Sequence, residues 1–333
     1  NSNENSALAV TAVNGRHKCL RQLIDAKADL EAKNNLGRTA LMMAAAKGEA
    51  KCMKLLITAK ADVLAGDTNS CTALMMAGAE GHPDSMKMLI DAKANIEAKD
   101  NEHMTALSMA AVYGKLDSVR VLINAKANLE AKNIKGRSAL MFAAQENDAQ
   151  TLRLLLDAKA NLLAEDDFGY TALALAAGQG ATDCLKLLID ARADLDTRHT
   201  QQSTPLMWAA EEGHTECVAR LIASKADIAA KADAGLTALH AAAAHGREDA
   251  TRQLIAAKAD LEVKGESGET ALMLAVGEGH LGTAQLLVEA KADVKAPDNV
   301  DATPLFIAAE MGHADCVQLL FDANADINAH DGK

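Results

Sequence analysis

Apolar and small residues fall into register along this chain every 33 positions. A Thr or Ser followed by Ala or Pro and then Leu recurs at Ser6, Thr39, Thr72, Thr105, Ser138, Thr171, Thr204, Thr237, Thr270 and Thr303. The Leu two residues after this anchor is present in every row, from Leu8 to Leu305. So are a Leu 17 residues after it, from Leu23 to Leu320, and an Ala 22 residues after it, from Ala28 to Ala325. The rows align without an insertion or a deletion. A fixed period of this size predicts stacked units, each too small to bury its apolar face except against its neighbours.

Each row predicts two helices and a hairpin. The anchor hydroxyl is placed to cap a helix, and Pro205 and Pro304 sit just inside it, where a missing N–H is harmless. The first helix, as in Ala40–Ala46, is followed by Gly in nine rows, Gly48 and Gly81 among them, and by Asn147 in the other. Gly and Asn accept the left-handed conformation of a helix end. The second helix, as in Cys52 to Ile57, gives way to an Ala-Lys-Ala-Asp type turn and a polar stretch. Pro83 stands near the start of one second helix, again a tolerated place. Gly37, Gly136, Gly169, Gly235 and Gly268 mark the turns of five of these stretches.

The row from Thr303-Pro-Leu-Phe-Ile-Ala-Ala through Gly312-His to Ala325-Asp-Ile-Asn-Ala resembles the ankyrin repeat, and Thr237-Ala-Leu-His240 keeps the His of that family's signature. The resemblance covers essentially the whole chain. It implies an all-α fold, a solenoid of helix–turn–helix units with projecting hairpins, forming a single domain over residues 1–333. One column departs from the family pattern. Where ankyrin repeats carry Gly after the second helix, this chain has Lys27, Lys60, Lys93, Lys126, Lys159, Arg192, Lys225, Lys258, Lys291 and Asn324. A positive φ is expected at most of them, at about 1–2 kcal/mol each. The column is either a basic ladder offered to an acidic partner or a solvated edge neutralised by neighbours such as Asp25 and Asp91; the acidic net charge favours the second.

Composition agrees with thin helices. Hydrophobic residues make up 49% of the 333, but aromatics only 2%, so Ala and Leu must carry the packing. No apolar run approaches the ~18–20 residues of a membrane helix, so no membrane insertion is expected. The net charge of −12 argues against nucleic acid as a partner. The chain opens on Asn1 with no signal-like segment, and the row at Thr303 lacks the polar outer face of a terminal unit. Further repeats or a docked domain are therefore expected beyond Lys333.

Candidate chemistry is sparse. Cys19, Cys52, Cys184, Cys217 and Cys316 share one column and are expected to be free, buried thiols of an intracellular protein, in the cytoplasm or an organelle interior. Cys71 falls at a hairpin tip and is expected to be the exposed, reactive one. His82, His214, His280 and His313 follow the turn Gly and are expected to bond between neighbouring rows. No metal-ligand spacing, phosphate loop or nucleophile elbow occurs, so no metal, cofactor or catalytic residue is assigned. Glu211 and Glu212 are read as a solvated pair. Asp326-Ile-Asn328 after Leu320 resembles a site at which ankyrin repeats are hydroxylated on Asn, but a hydrogen-bonded structural Asn is the preferred reading.

The resemblance places partners on the hairpin tips and on the inner face of the first helices. In those columns stand Met104, Tyr113, Ile134, Arg137, Phe168, Tyr170 and Leu236, and exposed aromatics, Met and Arg are the stuff of interface hot spots. Glu211, Glu212, Glu269, Glu278 and Glu310 suggest an acidic flank for a basic partner. Phe142, Trp208, Phe306 and Phe321 replace aliphatic residues and are expected in the core. The expected function is non-enzymatic protein binding by a scaffold or adaptor. The alternatives are a subunit permanently built into a larger complex and a regulatory segment of a larger enzyme or channel.

Overall fold

The computed structural model describes residues 4–328. Among them are twenty α-helices, two short 3-10 turns and, in place of any strand, one isolated bridge between Gly66 and Thr72. The chain divides into two compact units, Asn1–Asp167 and Phe168–Lys333. The first holds five helix pairs, from Ala7–Val13 with His17–Asp25 to Ala139–Gln145 with Ala149–Asp157. The second holds five more, from Ala172–Gly178 with Thr182–Asp190 to Pro304–Glu310 with Ala314–Asp322. Within each unit consecutive first helices pack on one another, as do consecutive second helices.

Local chemistry explains why each row folds this way. The first helices run seven or eight residues, too short to persist alone. Anchor hydroxyls cap them: Thr39 Oγ1 accepts from the Met42 N–H at 3.4 Å, and Thr171 Oγ1 from Ala174 at 3.3 Å. Their Ala-rich faces are buried throughout, as at Ala40, Leu41, Ala44 and Ala45. The nine-residue second helices bury one stripe each, as in Cys52, Met53 and Leu56 or Cys217, Val218 and Leu221. That i, i+1, i+4 spacing lays one apolar face against the first helices.

The turn lysines adopt the conformation the sequence anticipates. All of Lys27, Lys60, Lys93, Lys126, Lys159, Arg192, Lys225, Lys258, Lys291 and Asn324 have φ between 59° and 74°. The Lys27 N–H donates to the Ile24 carbonyl at 2.9 Å and the Ala28 N–H to Leu23 at 3.0 Å. This double bond pattern closes a Schellman motif, which satisfies carbonyls the helix leaves orphaned. The next Ala is pressed inward, as at Ala61, Ala127 and Ala226, supplying the apolar contact that accompanies the motif.

Four packing expectations need correction. Cys19 is exposed, unlike Cys52, Cys184, Cys217 and Cys316. Its column faces the preceding row, as the 3.9 Å approach of Thr182 Oγ1 to Cys217 Sγ shows, and no helix precedes its row among the described residues. Phe321 is exposed as well, since no helix pair follows it among the described residues. Trp208 and Phe306 are half-buried rather than sealed in the core.

Candidate functional site

The hairpins are held in two ways. In most described hairpins the backbone closes on itself, as when Asp100 N–H donates to the Met104 carbonyl at 3.1 Å and Ala232 N–H to Leu236 at 2.8 Å. Most hairpins add a side-chain anchor five residues before the cap. Asp67 Oδ1 accepts from Asn69 and Cys71 N–H groups at 2.9 and 3.0 Å, and Asn34, Asp100, Asn133 and Asp298 do the same. Tips then join one to the next: Thr68 N–H to Leu36 carbonyl, Asn101 to Asn69, Ile134 to Glu102, and in the second unit Thr200 to Phe168 and Glu266 to Ala234.

In the first unit the sequence-predicted residues take different roles. Tyr113 caps the end of Ala106–Val112 and is 61% exposed, and Ile134 stands 46% exposed on a hairpin tip. Met104 is half-buried, with its N–H tied to Asp100 Oδ1 at 2.7 Å. Arg137 is committed internally. Its Nε lies 3.0 Å from Asp166 Oδ2, a carboxylate with no exposed surface, and a guanidinium N–H reaches Gln145 Oε1 at 2.6 Å. Arg38 repeats the arrangement against Asp67 at 3.3 Å. A charged guanidinium N–H on a buried carboxylate ties two hairpins together.

Cys71, expected to be exposed and reactive, is half-buried with its thiol pointing at Asp100 Oδ2, 3.8 Å away. Burial first, then the carboxylates of Asp67 and Asp100, push the thiol up to about 11. Since only the thiolate is nucleophilic, this environment suppresses the chemistry the tip position suggested.

In the second unit Phe168 is 54% exposed at a tip. Tyr170 turns inward instead and stacks on His199 with ring centroids 4.4 Å apart, while Trp208 lies 4.8 Å from Tyr170. Gly178 makes this possible, because a Cβ there would collide with the indole. Three of the four histidines of the Gly-His column bond as expected: Nε2 of His214, His280 and His313 donates to the carbonyls of Gly178, Ala244 and Gly277 at 3.0, 3.1 and 3.0 Å, while the His82 ring only packs over Gly48. His240 is buried beneath its own helix cap, where its Nδ1 accepts from the Thr237 N–H at 3.2 Å. Burial holds its pKa below the ordinary histidine value. Glu211 is half-buried and faces His245 Nε2 at 3.7 Å, an ion pair whenever that ring is protonated.

Leu236 lines a groove of about 500 Å³ between successive first helices, which single residues of the sequence did not reveal. Its floor comes from Ala241. In the same column other rows have Met43, Met76, Phe142, Leu175, Trp208, Leu274 and Ile307, so the dip was readable as the one Ala among larger side chains. Leu36 and Val300 are exposed in the same tip column as Phe168 and had also gone unselected. No group of three or more His, Cys, Asp or Glu suited to a metal occurs among the described residues, and no helix among them is long and apolar enough to cross a membrane.

Comparison with known proteins supplies the family. A family model described as ankyrin repeats (3 copies) matches residues 1–67, 59–133, 107–199, 140–232, 193–265 and 239–331. No curated protein matches the chain. Among solved structures, the crystal structure of the ankyrin repeat domain of Bcl-3, described as a unique member of the IkappaB protein family, matches with a TM-score of 0.57 and 29% identity, over 62% of this chain and 95% of that one. With its helix pairs, capped anchors and successive repeat matches from one end to the other, the chain belongs to the ankyrin-repeat family.

Proposed function

We propose that this chain is a non-enzymatic scaffold or adaptor that binds a protein partner through its hairpin tips and the inner faces of its first helices. Ankyrin repeats generally mediate protein–protein interactions, and the reading brings that role to this chain. The observation that carries it is the contrast between columns. Scaffold positions such as Leu41, Leu107 and Leu239 are sealed, whereas Tyr113 and Ile134 in the first unit and Phe168 in the second keep large apolar surfaces in solvent. A few side chains, aromatic ones prominent among them, contribute most of the binding energy at many interfaces.

The test begins with co-purification of the full chain and identification of its partner by mass spectrometry. Tyr113→Ala, Ile134→Ala and Phe168→Ala are then titrated against that partner. At least one is expected to raise Kd about tenfold or more, the effect of removing roughly 1.4 kcal/mol at a hot spot. Unchanged affinity in all three overturns the reading. Arg137→Ala is the comparison that separates contact from scaffold: its loss of affinity should come with a loss of stability, because its guanidinium holds Asp166.

A further inference from the structure

The groove beside Leu236 is built by a run of small residues in one row. Ala232 stands where other hairpins have an Asn or Asp anchor, Ala241 where other first helices have a large side chain, and Ala244 one turn further on. Met207, Leu236 and Leu274 form apolar walls around this floor. The same place interrupts the tip ladder. Among the described residues, the step from Asp233 to Gln201 is the one that lacks the N–H to carbonyl bond joining neighbouring tips within a unit. The neighbouring cleft, lined by Tyr170, His199 and Trp208, shares Gln201, Ser203 and Glu211 with the groove.

The fixed charges of the groove have one sign. Glu211 and Asp233 line it, no Lys or Arg does, His240, buried in its floor, favours the neutral form, and His245, which also lines it, adds a positive charge only when protonated. Glu212 and Glu278 stand exposed nearby in the chain, Glu269 is half-buried, and the protein as a whole carries −12. Apolar walls with a carboxylate at their edge suit a side chain that is itself apolar along its stem and cationic at its end. An apolar side chain alone would leave the Glu211 and Asp233 carboxylates without a partner from the bound segment. An acidic one would meet them in repulsion.

We propose that this groove receives one lysine or arginine side chain from a partner protein, its alkyl stem against Met207, Leu236 and Leu274 and its cationic head at Glu211, with Asp233 also lining the groove. The proposal rests on the scaffold reading and adds to it a place and a partner chemistry. His245 competes for the Glu211 carboxylate when protonated, so the head group displaces that contact on binding.

A random peptide library displayed on phage, selected on the full chain, tests this directly. Selected peptides are synthesised and titrated while following Trp208, the sole tryptophan, which borders the groove. The expected consensus is a Lys or Arg next to apolar residues, with affinity falling tenfold or more on Ala241→Leu and again on Glu211→Gln. Leu already occupies that column at Leu175 and Leu274, so the first substitution fills the groove within the pattern of the fold. A consensus without Lys or Arg, affinity indifferent to Ala241→Leu, or a selection that yields no binder overturns the proposal. A natural partner that loses affinity on Phe168→Ala yet keeps it on Ala241→Leu sinks the groove and leaves the scaffold reading standing. One indifferent to both sinks the groove and passes the decision on the scaffold to Tyr113 and Ile134.

Discussion

The hairpins of the first unit and those before Thr204, Thr237 and Thr270 in the second unit share a backbone and differ in one column. In the first unit Asn34, Asp67, Asp100 and Asn133 each gather two N–H groups of their own tip. In the second, His199, Ala232 and Gly265 fill that column, and Asp298 restores it in the hairpin before Thr303. The closing backbone bond survives in both sets, at 3.1 Å for Asp100 to Met104 and 2.9 Å for Gly265 to Glu269. Repeat geometry therefore does not need the carboxamide or carboxylate; the tip does. Where His199 and Ala232 replace the anchor, Gln201 and Ala234 take positive φ values of 60° and 61°, in addition to the positive φ at the following residue that anchored tips also show at Ser70 and His103, and the groove opens alongside. Regular anchors make a uniform edge, and their loss leaves room for a ligand.

Exchanging the anchor between the two regions gives the largest effect. Asp67→Ala strips two backbone donors of a charged acceptor and leaves Arg38 without its carboxylate, so urea denaturation should show a loss of about 2–3 kcal/mol. The reciprocal Ala232→Asp should gain about 1 kcal/mol and slow amide exchange at Ala234 and Leu236. If Ala232→Asp instead destabilises, the difference between the regions lies in more than the anchor.

A second test uses acid. His240 is buried with a lowered pKa, so the unfolded chain binds the proton more readily than the folded one. Its contribution is fully present above 6.5, the value of the unfolded residue, and declines as pH falls below that. Replacing His240 with Met, the residue of Met207 and Met273 in its column, should flatten that part of the stability profile. An unchanged slope would remove His240 from the account.

The smallest effect should be common to both regions. Lys126→Gly relieves a left-handed residue at φ 61°, against the extra chain entropy of glycine, for a net gain on the order of 0.5–1 kcal/mol. Lys225→Gly, at φ 73° in the second unit, should gain about as much. A gain in one unit and a loss in the other would mean that the turns, and not only the tips, differ.

Much of the fold was legible because its determinants are local. Caps, turn glycines and the Leu and Ala columns each act within a few residues, so a period of 33 announces them directly. Even the departure at the turn lysines was readable, since a Schellman motif constrains φ whatever the side chain. The candidate surface was less so. Tyr113, Ile134 and Phe168 stand in solvent, but Tyr170 and Arg137, both in the column immediately before the anchor, spend their side chains on His199 and Asp166, each 29 residues further along the chain. Cys71 departs from expectation in a related way, its thiol held protonated by burial first and then by Asp67 in its own tip and Asp100 in the next row.

By itself the sequence determined the unit: where each helix starts, how it ends, and which face it must bury. Neighbouring rows decided the rest. Whether a side chain at the edge is free, paired or covered depends on what the adjacent row places against it about 29 to 36 residues away, as His214 on Gly178 and Arg137 on Asp166 illustrate. Burial and charge are properties of such pairs, which is why the groove over Ala241, marked in sequence only by one Ala among larger side chains, gained its walls from two further rows in the folded stack.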